Sequence, residues 1–186
     1  MVAVDLHSLP GSLILVSGPG RGGKSRWAES LLMGHPHVTY VATSPALPED
    51  EQWQERLRIH RERRPSHWQL MESGADISAS LNTIPLHQSV LIDALGGYVA
   101  LLLDLDDLNW RATADGFVNT LKSMTQTRIL VIEEVGWGVV PPTRIGGLFR
   151  DRLGALAQRL QQEADQSWLV VQGRAINLTE LGHLVP

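Results

Sequence analysis

An apolar run, Leu13-Ile14-Leu15-Val16, is separated by Ser17 alone from the octet Gly18-Pro19-Gly20-Arg21-Gly22-Gly23-Lys24-Ser25. The octet fits the pattern G-x-x-x-x-G-K-[ST]. A helical pattern follows from Lys24 to Met33, with Trp27 and Leu31 one turn apart. Glycines let the backbone turn so that several N–H groups converge on a phosphate. The helix behind them adds its positive end. Lys24 is placed to reach the β- and γ-phosphates of a nucleotide, and the Ser25 hydroxyl to ligate Mg²⁺. Average residue usage puts a chance match in a chain this long at roughly 1%, so strand, loop and helix together predict a nucleotide-binding fold.

The rest of the chain repeats the alternation. Val38-Thr39-Tyr40-Val41, Val90-Leu91-Ile92, Ile129-Leu130-Val131-Ile132 and Trp168-Leu169-Val170-Val171 read as further strands. Between them, Glu49 to Arg64, Thr113 to Met124 and Thr143 to Ala164 read as helices. Near-continuous apolar strands separated by helices predict an α/β fold, with a mostly parallel sheet covered on both faces. At 186 residues the chain suits a single domain spanning 1–186. The first dozen residues and the last ten or so read as loosely attached ends.

Composition narrows the function. Only two of the sixteen basic residues are lysines, Lys24 and Lys122, so a lysine in the phosphate-loop position is not background. A formal net charge of −4 speaks against a general nucleic-acid binder. With no cysteine there are no thiolate ligands or disulfides. No run approaches the ~18 apolar residues of a membrane span, and the first residues do not read as a secretory leader. A cytoplasmic location is the expectation. Neither lysine follows an asparagine, so the N-K-x-D guanine motif of regulatory GTPases is missing, as is an LSGGQ signature.

In an open parallel sheet the carboxyl ends of the strands line the ligand crevice. Asp93 directly follows Val90 to Ile92, and Glu133 and Glu134 follow the run ending at Ile132. Asp93 is the expected partner of Ser25 at Mg²⁺, with Glu134 a further candidate ligand and Glu133 a weaker one. Trp53, Leu57 and His60 fall at i, i+4 and i+7, so His60 is expected on the apolar face of an arginine-rich helix beside Arg56, Arg63 and Arg64. A neutral imidazole is a nucleophile toward phosphorus, and clustered guanidiniums offset phosphate charge. Residue pattern alone favours a packed structural histidine on a solvated basic helix.

Six segments occur in one order and spacing: Gly18 to Glu29 (GPGRGGKSRWAE), Tyr40 to Ser44 (YVATS), Arg56 to Trp68 (RLRIHRERRPSHW), Glu134 to Pro141 (EVGWGVVP), Phe149-Arg150-Asp151, and Val170 to Gly173. In these the chain resembles the bifunctional adenosylcobinamide kinase / adenosylcobinamide-phosphate guanylyltransferase family, over nearly its whole length after residue 12. The resemblance implies a RecA-like P-loop fold and two reactions. ATP or GTP phosphorylates the aminopropanol hydroxyl of adenosylcobinamide. GMP from GTP then passes to that phosphate through a guanylylated histidine, giving adenosylcobinamide-GDP on the way to the vitamin B12 coenzyme. The guanylylated histidine falls on His60, with Lys24 as the other catalytic residue. Nucleotide contacts fall on Gly18 to Ser25, on Ala42, Thr43 and Ser44, on Arg61, Glu62, Arg63 and Arg64, on Glu72 and on Asp93. The resemblance also implies a homotrimer.

The chain departs from many relatives at Glu133, in place of Asn, and at Ala157-Gln158, in place of Asn-Gln. Ala94-Leu95-Gly96-Gly97 replaces a more polar stretch, and the tail after Gly173 lacks a closing lysine. Trp137, in the glycine-rich loop, is a candidate for packing on a corrin or base. The other histidines show no metal-ligand spacing, and Asp104, Asp106 and Asp107 read as a solvated loop. Alternatives are a single-activity P-loop kinase of a small alcohol and a nucleotide-binding module without turnover.

Overall fold

A computed structural model describes residues 11–44, 47, 49–138 and 142–185, without the side chains of Trp53 and Arg56. The first ten residues, the 139–141 end of the EVGWGVVP segment, and the expected packing of Trp53 and Arg56 therefore lie outside the described residues.

The strands are β1 (Leu13–Gly18), β2 (Val38–Ala42), β3 (Gln69–Glu72), β4 (Ser89–Asp93), β5 (Arg128–Glu133), β6 (Gln166–Val171) and β7 (Arg174–Asn177). The helices are α1 (Lys24–Leu32), α2 (Glu51–Arg63), α3 (Ile77–Asn82), α4 (Leu95–Ala100), α5 (Asp107–Ser123), α6 (Arg144–Glu163) and α7 (Leu178–Leu181). The sheet order is β3-β2-β4-β5-β1-β6-β7. All neighbours are parallel except β6 and β7.

The apolar runs split by strand alternation, since successive side chains point to opposite faces. Leu13, Leu15, Val90, Ile92, Leu130 and Ile132 pack under α3 to α6, against residues such as Leu81, Tyr98, Phe117, Leu153 and Leu160. Ile14, Val16, Leu91, Ile129 and Val131 pack under α1, against Ala28, Leu31 and Leu32. Two cores on one sheet are what helices on both faces require.

Four features differ from the sequence expectation. β3 is an edge strand, with only Met71 partly buried, so it shows no apolar run. Helix α5 begins at Asp107, not Thr113, because the Asp106 carboxylate caps it by accepting from Asn109 N; of the acidic run, Asp106 and Asp107 start this helix, while Asp104 lies in an exposed turn before it. The tail is fastened: β7 pairs antiparallel with β6, and Asn177 caps α7 by accepting from Thr179 N and Glu180 N. At the other end Ser12 is already buried and its carbonyl accepts from Arg128 N at 2.8 Å.

Candidate active site

The parallel strands bring Gly18, Ala42, Glu72, Asp93 and Glu133 to the same edge of the sheet, each at the carboxyl end of its strand. The phosphate loop leaves β1 there. Gly18 has φ +147°, and a Cβ on it would lie 2.1 Å from the Val170 carbonyl oxygen of β6, so this position excludes a side chain. Gly23 holds the left-handed conformation (φ +106°) just before α1. Lys24 is buried at the start of α1, with Nζ donating to the Pro19 carbonyl at 2.8 Å across the loop.

Helix α2 faces this loop across a cavity of about 870 Å³. Its walls include Arg21, Gly23, Lys24 and Ser25 from the loop and Ile59, His60 and Arg63 from α2. The fold thus brings together the loop and the histidine, which lie 36 positions apart (60 − 24) in the chain. Behind them, Glu29, His60 and Asp93 each direct one ligand atom to within 4.8 Å of the others. His60 Nδ1 is 3.7 Å from Asp93 Oδ2, beyond a hydrogen bond. Asp93 Oδ2 accepts the Tyr40 hydroxyl at 2.7 Å.

Arg63 bridges to Glu29. Its Nε and Nη2 donate to the two carboxylate oxygens at 3.1 and 3.0 Å, and Nη2 also lies 3.4 Å from His60 Nδ1. Burial raises the Glu29 carboxyl above its ordinary range, against the lowering effect of Arg63. The same pair raises the Arg63 guanidinium further. Arg64 Nε donates to the His60 carbonyl at 3.1 Å, and its guanidinium stacks 4.1 Å over the Tyr40 ring. Tyr40 is pushed well above its ordinary value, first by burial and then by the Asp93 charge.

Other sequence candidates are placed differently. Arg61 is exposed, and Glu62 is exposed in an ion pair with Arg58. Glu72 ends the edge strand, exposed, in register with Ala42. Thr43 is buried and donates to the Ala94 carbonyl; Ser44 follows it. Of the two acids ending β5, Glu133 turns its carboxylate onto Gly96 N at 2.9 Å. Burial raises its pKa most, with the Gly96 N–H lowering it and Asp93 adding to the rise. A Cβ on Gly96 would lie 2.7 Å from that carboxylate, so Gly96 and Glu133 fit each other. Glu134 joins the loop through its backbone, donating to the Gly18 carbonyl at 2.8 Å. Trp137 is 58% exposed.

Glu29 and Tyr40 were given no role by the sequence. Both stand inside segments that carried the resemblance, but only the fold reveals their contacts with Arg63 and Asp93.

A family model described as cobinamide kinase / cobinamide phosphate guanyltransferase matches residues 14–178. A bifunctional adenosylcobalamin biosynthesis protein, CobU, of Salmonella typhimurium is 33% identical over 181 residues, 89% of this chain and 99% of that one. The protein of the same function name, CobP, from Pseudomonas aeruginosa is 31% identical over 86% of this chain and 92% of its own. Among solved structures, an ATPase of a bacterial type III secretion system is similar in fold, with TM-score 0.58 and 8% identity. The likeness covers 94% of this chain and 59% of that one.

Proposed function

The chain belongs to the cobinamide kinase / cobinamide phosphate guanyltransferase family, a bifunctional transferase of adenosylcobalamin biosynthesis, and on that footing we propose that His60 carries the guanylyl group from GTP to cobinamide phosphate in the second of its two reactions. The observation that carries this is the cavity wall shared by Lys24 and His60. One nucleotide site is lined by a phosphate-gripping lysine and by a nucleophile.

In the kinase step the loop N–H groups and Lys24 hold the triphosphate and offset the charge on the transferring phosphoryl group. Ser25 and Asp93 offer hard oxygen donors of the kind Mg²⁺ takes, and they are the residues assigned to hold it, with Glu134 as a further candidate. The metal would neutralise the phosphate oxygens. The aminopropanol hydroxyl of adenosylcobinamide attacks the terminal phosphorus, its O–P bond forming as the bond to the nucleoside diphosphate breaks and its proton passes to solvent.

In the transfer step a neutral His60 attacks the α-phosphorus of GTP. The N–P bond forms, the bond to pyrophosphate breaks, and pyrophosphate leaves. The cobinamide phosphate oxygen then displaces the imidazole, so two easier displacements replace one difficult transfer. Arg63, which ends α2, and Arg64, which follows it, supply positive charge for the phosphates. Gly18, Pro19, Gly20, Arg21, Gly22, Gly23, Ala42, Thr43, Ser44, Arg61, Glu62 and Glu72 complete the proposed nucleotide contacts.

A homotrimeric assembly, which rests on the resemblance, and a cytoplasmic location, which rests on the cysteine-free composition, belong to the same proposal; sedimentation tests the first. No helix among the described residues is long and apolar enough to cross a membrane. The function is tested by incubating the protein with adenosylcobinamide, Mg²⁺, ATP and GTP and identifying products by mass. Wild type is expected to give adenosylcobinamide-GDP, and His60→Ala to stop at adenosylcobinamide phosphate. A His60→Ala variant that still forms the GDP product would leave His60 structural.

A further inference from the structure

Glu29 is an acid in an unfavourable place. It lies on α1, five residues after Lys24, on the face that packs against the sheet beside Ala28 and Leu32. Its side chain is 6% exposed, whereas Arg63, its partner across the interface with α2, is 28% exposed and lines the cavity. Burial opposes its charge more strongly than any other influence on it. A buried ion pair of this kind is weak evidence for stability, because apolar residues of similar volume often serve as well. The placement therefore calls for another explanation.

The geometry supplies one. Glu29 grips Arg63 through two parallel N–H···O bonds, which fix the plane of a guanidinium as well as its position. The same Nη2 that donates to Glu29 at 3.0 Å stands 3.4 Å from His60 Nδ1. The carboxylate thus holds from the interior a guanidinium that lines the cavity beside the imidazole. Arg63 has five N–H donors. With Nε and one Nη2 proton committed inward, its remaining donors stay oriented beside the ring, where the phosphates of a nucleotide attacked by His60 must lie.

We propose that Glu29 is a positioning residue for guanylyl transfer, acting through Arg63: it holds the guanidinium at a fixed place beside His60, so that charge on the α-phosphate is met without reorganisation. The inference rests on the transferase reading given above. It also ties the two activities together, because α1 begins in the phosphate loop while α2 carries the nucleophile.

The test uses the intact chain, Mg²⁺ and GTP labelled in the α-phosphate. Glu29→Gln keeps size and some hydrogen bonding but removes the charge. At saturating GTP the variant is expected to take up label about tenfold or more slowly, with KM for GTP changing less than the rate. Its phosphorylation of adenosylcobinamide, which does not pass through His60, should slow by a smaller factor than label uptake does. In an Arg63→Met background the Glu29→Gln change should add almost nothing, because the path through Arg63 is already cut. Thermal melting of each variant runs alongside. Label uptake by Glu29→Gln at the wild-type rate overturns the proposal. So does an equal loss of both activities with a lowered melting temperature, which would make the pair a structural latch, and so does full additivity with Arg63→Met. Folded wild-type protein that takes no label overturns the transferase reading itself, and this inference falls with it.

Discussion

The hydroxyl of Tyr40 donates to Asp93 Oδ2 at 2.7 Å, so the acid at the end of β4 is held by the neighbouring strand β2. Burial and the adjacent carboxylate push the phenol well above its ordinary value, so it stays a donor throughout the neutral and mildly alkaline range. A hydrogen bond to a charged acceptor contributes about 1.5–3 kcal/mol. Tyr40→Phe is therefore expected to slow steps that depend on Asp93 by roughly ten- to a hundredfold. Steady-state kinase rates between pH 6.5 and 9 check this. Unchanged rates would mean that the position of Asp93 is fixed by other contacts.

Lys24 spans the phosphate loop to the Pro19 carbonyl and is buried at the head of α1. Replacing it by Met keeps the stem and removes the ammonium. The expectation is a loss of about a hundredfold or more in phosphoryl transfer, the size seen when one preorganised charge is removed from a transition state. Far-UV circular dichroism should stay as in wild type. An unaltered kinase rate would dissociate the loop from the chemistry.

Glu133 gives a pH-dependent signature. Its carboxyl is raised in the folded state, chiefly by burial. The folded protein therefore binds more protons than the unfolded one in the window that begins near the ordinary glutamate value, 4.5, and runs upward. Stability is lost as pH rises through that window. Glu133→Gln removes the loss while its side-chain carbonyl still accepts from Gly96 N. Urea unfolding should show the variant more stable than wild type at pH 7.5, with the difference vanishing at pH 4. An advantage that is independent of pH would contradict the assignment.

Two glycines separate rigid from yielding contacts. Alanine at Gly18 would meet the Val170 carbonyl at 2.1 Å, and at Gly96 the Glu133 carboxylate at 2.7 Å. Backbone cannot move aside, whereas a side chain can swing. Gly18→Ala is expected to cost about 3 kcal/mol or more, through strain at a positive φ and the clash. Gly96→Ala should cost about 1–2 kcal/mol, near the value of a displaced buried hydrogen bond. Chemical denaturation of both variants tests the ranking, and a reversed order would refute it.

The parts that sequence revealed are those governed by local rules. Leu13 to Val16, the glycine loop and the start of α1 stand together in the chain, and their pattern suffices. The four further apolar runs marked β2, β4 and β5, buried on both faces, and β6, which buries Trp168 and Val170 and half-buries Leu169 and Val171. β3 and β7 are edge strands with exposed positions, so no hydrophobic run distinguishes Gln69 to Glu72 or Arg174 to Asn177. In the site, Lys24, Asp93 and His60 had chemical signatures of their own. Glu29 had none: it acquires meaning only from Arg63, 34 residues away, and Tyr40 only from Asp93, 53 residues away. Likewise nothing in the sequence marked the contact of the Glu133 carboxylate with Gly96 N.

His60 is proposed to become covalently guanylylated in the cavity it shares with Lys24. The direct measurement is to incubate purified protein with Mg²⁺ and α-³²P-labelled GTP, denature it, and compare wild type with His60→Ala. The account predicts label on wild type alone, lost in acid and kept in alkali, as a phosphorus–nitrogen bond requires. Folded, nucleotide-binding wild type without label, or equal label on His60→Ala, would contradict it.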